Sequence, residues 1–210
     1  MQTENFRVVG HPLIRARVTV LRDRETGTKH FREALHEVAV LLAAEATRDL
    51  EVVPRHVVTP LAPCDGVRLA RPIIIVPILR AGLGMAEAML KVLPEARVGH
   101  IGMARDERTF EPRSYYFKSP AGLPDADVFL VDPMLATGHS AADATEALHQ
   151  AGARRLTLVC ILASRPGVAH FSTRHPGIPI LAAELDDTLN EQAYIVPGLG
   201  DAGDRYFGTH

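Results

Sequence analysis

Tryptophan is absent from the 210 residues, and cysteine occurs only as Cys64 and Cys160. Two thiols so spaced form neither a metal-ligand pattern nor a secreted disulfide framework, so a reduced, cytoplasmic protein is expected. The longest apolar run, Ile73 to Leu79, falls far short of the roughly 20 residues that span a bilayer. The opening Met1-Gln2-Thr3-Glu4-Asn5 lacks the basic and apolar regions of an export signal. No charge of one sign dominates either. The 23 basic and 25 acidic residues nearly cancel, and no dense basic tract occurs, which argues against nucleic acid as the principal partner. Membrane association is likewise not expected. Gly-Lys-Ser and Gly-Lys-Thr are missing, which excludes a Walker A loop.

What is present is a strand and helix rhythm. Apolar residues at 31, 35, 38, 42 and 46 follow the spacing of an amphipathic helix across Phe31–Leu50. Ile73–Leu79, Val98–Met103, Val128–Val131 and Leu156–Leu162 read as buried strands, with helices over Met85–Val92 and Ala141–Gln150, the latter stopped by Gly152. Such alternation predicts an α/β fold, a mainly parallel sheet flanked by helices, with ligands gathered at the carboxyl ends of the strands. Residues 105–126, rich in tyrosine and charge, suggest an exposed two-stranded β-arm. Beyond Asp186 the chain becomes irregular and glycine-rich. No repeat or linker divides it, so residues 1–210 are expected to form one domain, with the N-terminal segment and roughly 186–210 as a cap or hood.

The most informative stretch is Asp127 to Ser140, Asp-Val-Phe-Leu-Val-Asp-Pro-Met-Leu-Ala-Thr-Gly-His-Ser. A strand delivers Asp132 and a small-residue loop to the start of a helix, where backbone amides and the hydroxyls of Thr137 and Ser140 converge on an anion. A phosphate suits the loop. The carboxylate upstream suits hydroxyls carried by the same ligand, such as a ribose diol. By itself, Thr-Gly-x-Ser would rather suggest an ordinary strand-to-helix turn, with Ser140 as an N-cap and Asp132 merely ending a strand.

Val-Asp-Pro-Met-Leu-Ala-Thr-Gly resembles the phosphoribosyl pyrophosphate signature of the type I phosphoribosyltransferases, in the form of the uracil phosphoribosyltransferase branch. Most type I enzymes carry two adjacent acids where this chain has Asp132-Pro133. The similarity runs from His11-Pro12-Leu13-Ile14 through Glu45 to Leu50 and on to Tyr194–Asp204. The resemblance implies transfer of a phosphoribosyl group from 5-phosphoribosyl 1-pyrophosphate (PRPP) to uracil, giving uridine 5′-monophosphate (UMP) and pyrophosphate. It assigns PRPP to Arg80, Arg105, Asp132, Pro133, Met134, Leu135, Ala136, Thr137, Gly138, His139, Ser140 and Asp201, with Arg80 and Asp132 as the catalytic pair. Uracil falls to Ile195, Gly200, Asp201 and Ala202, read mainly by the backbone. Mg²⁺ is implied as a partner of the PRPP pyrophosphate and ribose hydroxyls, with no dedicated protein metal site.

Two rival readings and one departure from the family bear on this reading. Gly82-x-Gly84 after the most hydrophobic strand, with Asp106 further on, also resembles a dinucleotide fingerprint, but the third glycine is replaced by Glu87. A pyrimidine-sensing regulator on the same fold is the alternative, and the balanced charge argues against the basic face it would need. The family has a second Gly where this chain has His139; a positive φ there would cost about 1 kcal/mol. The ten histidines form no HxxxH pair. Tyr115, Tyr116 and Phe117 on the expected arm point to a subunit contact, hence a homodimer or larger assembly.

Overall fold

The computed structural model describes residues 5–105 and 112–209, the side chains of 104, 105 and 112–115 excepted. In chain order the elements are β1 (Phe6–Val8), α1 (Pro12–Arg22), α2 (Thr28–Ala46), β2 (Val52–Val58), β3 (Pro63–Leu69), β4 (Ile73–Leu79), α3 (Leu83–Leu90), β5 (Arg97–Val98), β6 (His100–Arg105) and β7 (Pro112–Lys118). A short 3₁₀ turn at Leu123–Asp125 precedes β8 (Asp127–Val131), β9 (Met134–Leu135), α4 (His139–Gln150), β10 (Arg155–Ser164), α5 (Arg165–Arg174), β11 (Ile180–Asp186), β12 (Thr188–Leu189), β13 (Ile195–Val196) and α6 (Ala202–Phe207).

The main sheet runs β1-β11-β10-β8-β4-β6-β7, with β5 beside β4 and β9 beside β10. Every pairing in it is parallel except β6 with β7. The mainly parallel α/β architecture expected from the sequence is therefore present. Strands buried on both faces read as unbroken apolar runs, and β4 alternates accordingly. Ile73 and Ile75 pack towards α1, α2, α3 and α6, while Ile74, Val76 and Ile78 pack towards α4 and α5. On α2, Phe31, Leu35, Val38 and Leu42 form the buried stripe. Gly152, at φ +100°, takes the left-handed conformation that terminates α4.

Some elements differ from expectation. The strand expected over Val98–Met103 is divided at Gly99, whose amide bonds to Ile75 O, into β5 and β6. β7 pairs antiparallel with β6; residues 106–111 between them lie outside the described residues. A second antiparallel hairpin, β2–β3, was not expected, and Val52, Val57, Val58, Leu61, Val67 and Leu69 are exposed on it.

From β4 the chain proceeds to β6 on one side, whereas β8, β10 and β11 lie on the other. The strand order thus reverses between β4 and β8. A crevice opens at such a switch point, beyond the carboxyl ends of the strands.

Candidate active site

At that crevice lies a cavity of about 280 Å³. Asp132, Met134, Leu135, Ala136, Thr137, Gly138 and Ser140 line one side, Ile195, Gly200, Asp201, Ala202 and Gly203 the other, and Ala81 also borders it. Two segments separated by some sixty positions in sequence therefore share one wall-to-wall space. Gln192 and Ala193, unremarked in the sequence, complete the rim together with Tyr194.

The loop from Asp132 leads into the start of α4, the strand-turn-helix that its sequence suggested. Gly138 caps α4 at φ +83° with no side-chain cap, and the first α4 capping bond runs from Ala142 N–H to Gly138 O at 2.9 Å. The amides at the start of α4 thus lack intrahelical partners, as helix geometry requires. His139 opens the helix. The left-handed residue is Gly138, and Ala193 is the only non-glycine with positive φ among the described residues. His139 therefore does not carry the steric penalty considered for it. Its exposed ring stacks on His170 at 4.1 Å between centroids. Burial first, then the neighbouring His139, holds the His170 imidazole below its ordinary range.

The loop is backed from behind by α5. Ser164 Oγ donates to Ala136 O at 2.5 Å and accepts from Gly167 N–H at 2.9 Å. A Cβ on Gly167 would lie 2.3 Å from Ala136 O and 2.6 Å from Leu135 O, and one on Gly138 would lie 2.6 Å from Gly167 O. Only two facing glycines permit this approach. Pro133 is buried, its carbonyl accepting from Ile161 and Leu162 amides at 3.2 and 2.9 Å, so its own role is in the sheet.

Asp132 follows β8 and accepts a bond from Met134 N–H at 3.3 Å. Burial, reinforced by the facing Asp201 and opposed by the Met134 amide, pushes its carboxyl up to about 7. A carboxyl held up in this way loses its proton more readily when cationic or hydrogen-bond-donating ligands arrive. Asp201 is the N-cap of α6, accepting from Asp204 N–H at 2.8 Å.

Arg80 follows β4, is exposed and is not itself among the residues lining the cavity, although Ala81 is; it pairs with Asp204 at 3.4 Å while lying over the Phe207 ring. The Arg105 side chain lies outside the described residues. The glycines after Arg80 serve packing. A Cβ on Gly82 would come within 2.5 Å of Val131 O, and one on Gly84 within 2.4 Å of the Tyr206 ring. Tyr206 bonds His36 at 2.8 Å and donates to Glu87 at 3.2 Å. Glu87, where a dinucleotide fingerprint would need glycine, is an exposed acceptor.

The opposite wall is held by residues the sequence reading did not single out. Arg22, at the end of α1, makes a bidentate pair with Asp186, both distances 2.7 Å, and the pair grips Gly198. Arg205 bonds the carbonyls of Leu21, Leu199 and Asp23 and lies over Phe31 at 4.4 Å. Only Ser164 carried a readable signal, Ser-Arg-Pro-Gly being an N-cap followed by Pro at the helix start.

The sequence model for uracil phosphoribosyltransferase matches residues 8–209. A uracil phosphoribosyltransferase of Shouchella clausii is 48% identical over 203 residues, covering 96% of this chain and 97% of the relative. One from Legionella pneumophila is 46% identical over 210 residues, covering 100% of this chain and 98% of the relative. Among solved structures, the AQ2163 protein from Aquifex aeolicus superposes with a TM-score of 0.92 at 33% identity, covering 96% of this chain and 97% of its own. A purine phosphoribosyltransferase from Pyrococcus horikoshii shares the fold alone, with a TM-score of 0.52 at 17% identity over 73% of this chain and 84% of its own.

Proposed function

The chain belongs to the uracil phosphoribosyltransferase family, and from that premise we propose how its residues divide the reaction. It transfers the phosphoribosyl group of PRPP to uracil, giving UMP and pyrophosphate. The matches give the regulatory alternative no support. One observation carries the assignment of roles: Asp132, the free amides of α4 and the Ile195–Ala202 loop face a single cavity. That spacing suits a ligand with a phosphate at one end and a flat base at the other.

In this reading the 5′-phosphate sits on the amides and hydroxyls of residues 136–140, with His139 contributing its amide, and Asp132 accepts from the ribose hydroxyls. Uracil lies against Ile195, Gly200 and Ala202, whose main chain meets its carbonyls and N–H, and Asp201 stands between base and donor. As the C1′–oxygen bond lengthens, positive charge grows on the ribose and negative charge on pyrophosphate. Asp132 opposes the first. Arg80, exchanging Asp204 for the leaving group, and Arg105 oppose the second, because a guanidinium meets two phosphate oxygens at once. Holding both substrates in one cavity supplies the remaining advantage, since attack by uracil N1 becomes an encounter between oriented groups.

Phosphoribosyl transfer in this family generally uses Mg²⁺ with PRPP. Asp132 and Asp201 are hard oxygen donors bordering the cavity, and among the described residues no group of three or more His, Cys, Asp or Glu could hold a metal. Asp132 and Asp201 would be the residues to assist an ion brought in with PRPP. When bound, it neutralises charge on the pyrophosphate.

The whole chain is proposed to act as one domain, hooded over the cavity by the N-terminal segment and residues 186–210; Arg22–Asp186 and Arg205 supply the ties that support this. A homodimer or larger assembly is supported by the apolar side chains exposed on β2–β3 and by exposed Tyr116 and Phe117. Among the described residues no helix is long and apolar enough to cross a membrane. Cys160 is buried and Cys64 exposed, both free, which supports a reducing cytoplasmic setting. Incubation with labelled uracil, PRPP and Mg²⁺ tests the whole reading: UMP is the expected product, and its absence overturns the function.

A further inference from the structure

We infer that Arg22 and Asp186 are positioning residues for base recognition, clamping Gly198 so that the backbone on either side of it presents a fixed pattern to uracil. The inference rests on the reading that the Ile195–Ala202 loop receives the base.

Gly198 lies three residues after Ile195 and two before Gly200, both on the cavity wall. Its N–H donates to Asp186 Oδ2 at 2.9 Å, and its carbonyl accepts from Arg22 Nη1 at 2.9 Å. The same guanidinium closes on both Asp186 oxygens at 2.7 Å. Both main-chain groups of this one residue are therefore consumed by an ion pair from elsewhere in the fold. Gly198 sits at φ +62°, and a Cβ there would stand 2.0 Å from Ile195 O. The turn is thus too tight to be held by a side chain of its own, and outside groups must hold it.

Those outside groups come from two elements that the core already fixes. Arg22 ends α1, where Leu21 is buried, and Asp186 ends β11. The Asp186 side chain is 7% exposed and that of Arg22 23%. Burial alone would raise the Asp186 carboxyl, yet the Arg22 guanidinium and the Gly198 amide bring it below the ordinary carboxylate range. A sheltered ion pair is weak evidence for stability as such, because desolvation offsets much of its attraction. Geometry is what it supplies here. A planar fork can meet two carboxylate oxygens and a carbonyl together, which a Lys ammonium on a flexible stem cannot reproduce.

A main chain that reads uracil by N–H and C=O gains affinity only if those groups are held in place beforehand. Loosening Gly198 therefore weakens uracil and leaves PRPP, held chiefly across the cavity by residues 132–140 and touched from this side only by Asp201, itself held as the cap of α6, little changed. That asymmetry separates positioning from general destabilisation.

The test compares Arg22→Lys and Asp186→Asn with the parent, measuring KM for uracil and for PRPP separately, with Gly200→Ala as a direct perturbation of the base loop. Arg22→Lys is expected to raise the uracil KM about tenfold, the scale of one lost buried hydrogen bond, and to keep the PRPP KM within about twofold. Asp186→Asn, which retains an acceptor for Gly198, should shift the uracil KM in the same direction by less, and it carries the same criterion should Arg22→Lys fail to fold. If Gly200→Ala raises the uracil KM while both clamp variants leave it unchanged, the clamp is overturned and the base-loop reading stands. Parallel changes in both KM values, tracking a lower melting temperature, overturn it in favour of a purely structural role. If Gly200→Ala also leaves the uracil KM unchanged, the base-loop reading itself falls, and the clamp with it.

Discussion

Gly167→Ala probes the wall behind the proposed phosphate loop without replacing any residue that lines the cavity. The added Cβ would be 2.3 Å from Ala136 O and 2.6 Å from Leu135 O, whereas relaxed carbon–oxygen contacts lie near 3.3 Å, so one backbone must move by roughly 1 Å. Two stability effects oppose each other. Alanine improves the intrinsic helix preference of α5 by up to about 1 kcal/mol, and the overpacking costs about 1–3 kcal/mol. The net change is a loss of roughly 0–2 kcal/mol, a few degrees in melting temperature for a domain this size. Function should suffer more. Ala136 belongs to the loop assigned to the 5′-phosphate, and a misplacement near 1 Å can cost about 10²-fold. Steady-state kinetics with uracil saturating should show the PRPP KM rising by roughly 10- to 100-fold, with the uracil KM changing far less. A PRPP KM within about twofold of the parent, well below that scale, would show that the loop does not depend on the α5 contact.

Other consequences are equally direct. Asp132, pushed up to about 7 in the fold from an ordinary 3.8, binds its proton more readily folded than unfolded. The stability it contributes is full below its unfolded pKa and lost as pH rises through its folded one, so Asp132→Asn should melt higher than the parent at pH 8, by on the order of 1 kcal/mol, and no higher near pH 4; equal melting at both pH values would refute the burial argument, and undiminished PRPP kinetics in the same variant would remove the diol role. His139→Gly replaces a helical residue, so calorimetry should find a loss of up to about 1 kcal/mol, where relief of a left-handed strain would have produced a gain. Sedimentation at micromolar concentration should find a dimer or larger species, and a monomer would count against the exposed hairpin as a subunit contact.

The central strands and the strand-turn-helix from β8 into α4 were legible because both have local causes. Ile73–Leu79 was read with the bounds that β4 has, and Gly152 ends α4 as its position implied. The hairpin β2–β3 was not legible: it buries almost nothing in this chain, so no alternation of apolar and polar residues marks it, and Pro54 and Pro63 argue locally against strands. α5 escaped for a related reason. Arg165–Arg174 has few apolar residues and a glycine in its first turn, and only the Ser164 cap and Pro166 announce it. β11 is short on β-branched residues, with Leu-Ala-Ala-Glu-Leu after its first Ile, and takes its structure from β10 and β1 on either side.

The site divides along the same line. Asp132 and Gly138 sit within one strand-turn-helix unit, so their spacing in sequence already expresses their geometry. The glycines at 82 and 84 show where that correspondence stops: their letters match the start of a dinucleotide fingerprint, but one admits Val131 O and the other the Tyr206 ring from 122 positions away. His139 makes the same point in reverse, since the family pattern drew attention to it while the backbone places the left-handed turn one residue earlier. The base loop is the extreme case. The recognition groups proposed for it are main-chain atoms with no side-chain signature, and the loop is tied down by Arg22, Asp186 and Arg205, three charges that look like ordinary surface residues until the fold closes around Gly198 and Leu199. A charge that bonds a distant carbonyl has no local pattern to betray it, and for that reason the residues most likely to be passed over in the sequence are those that give the loop its shape.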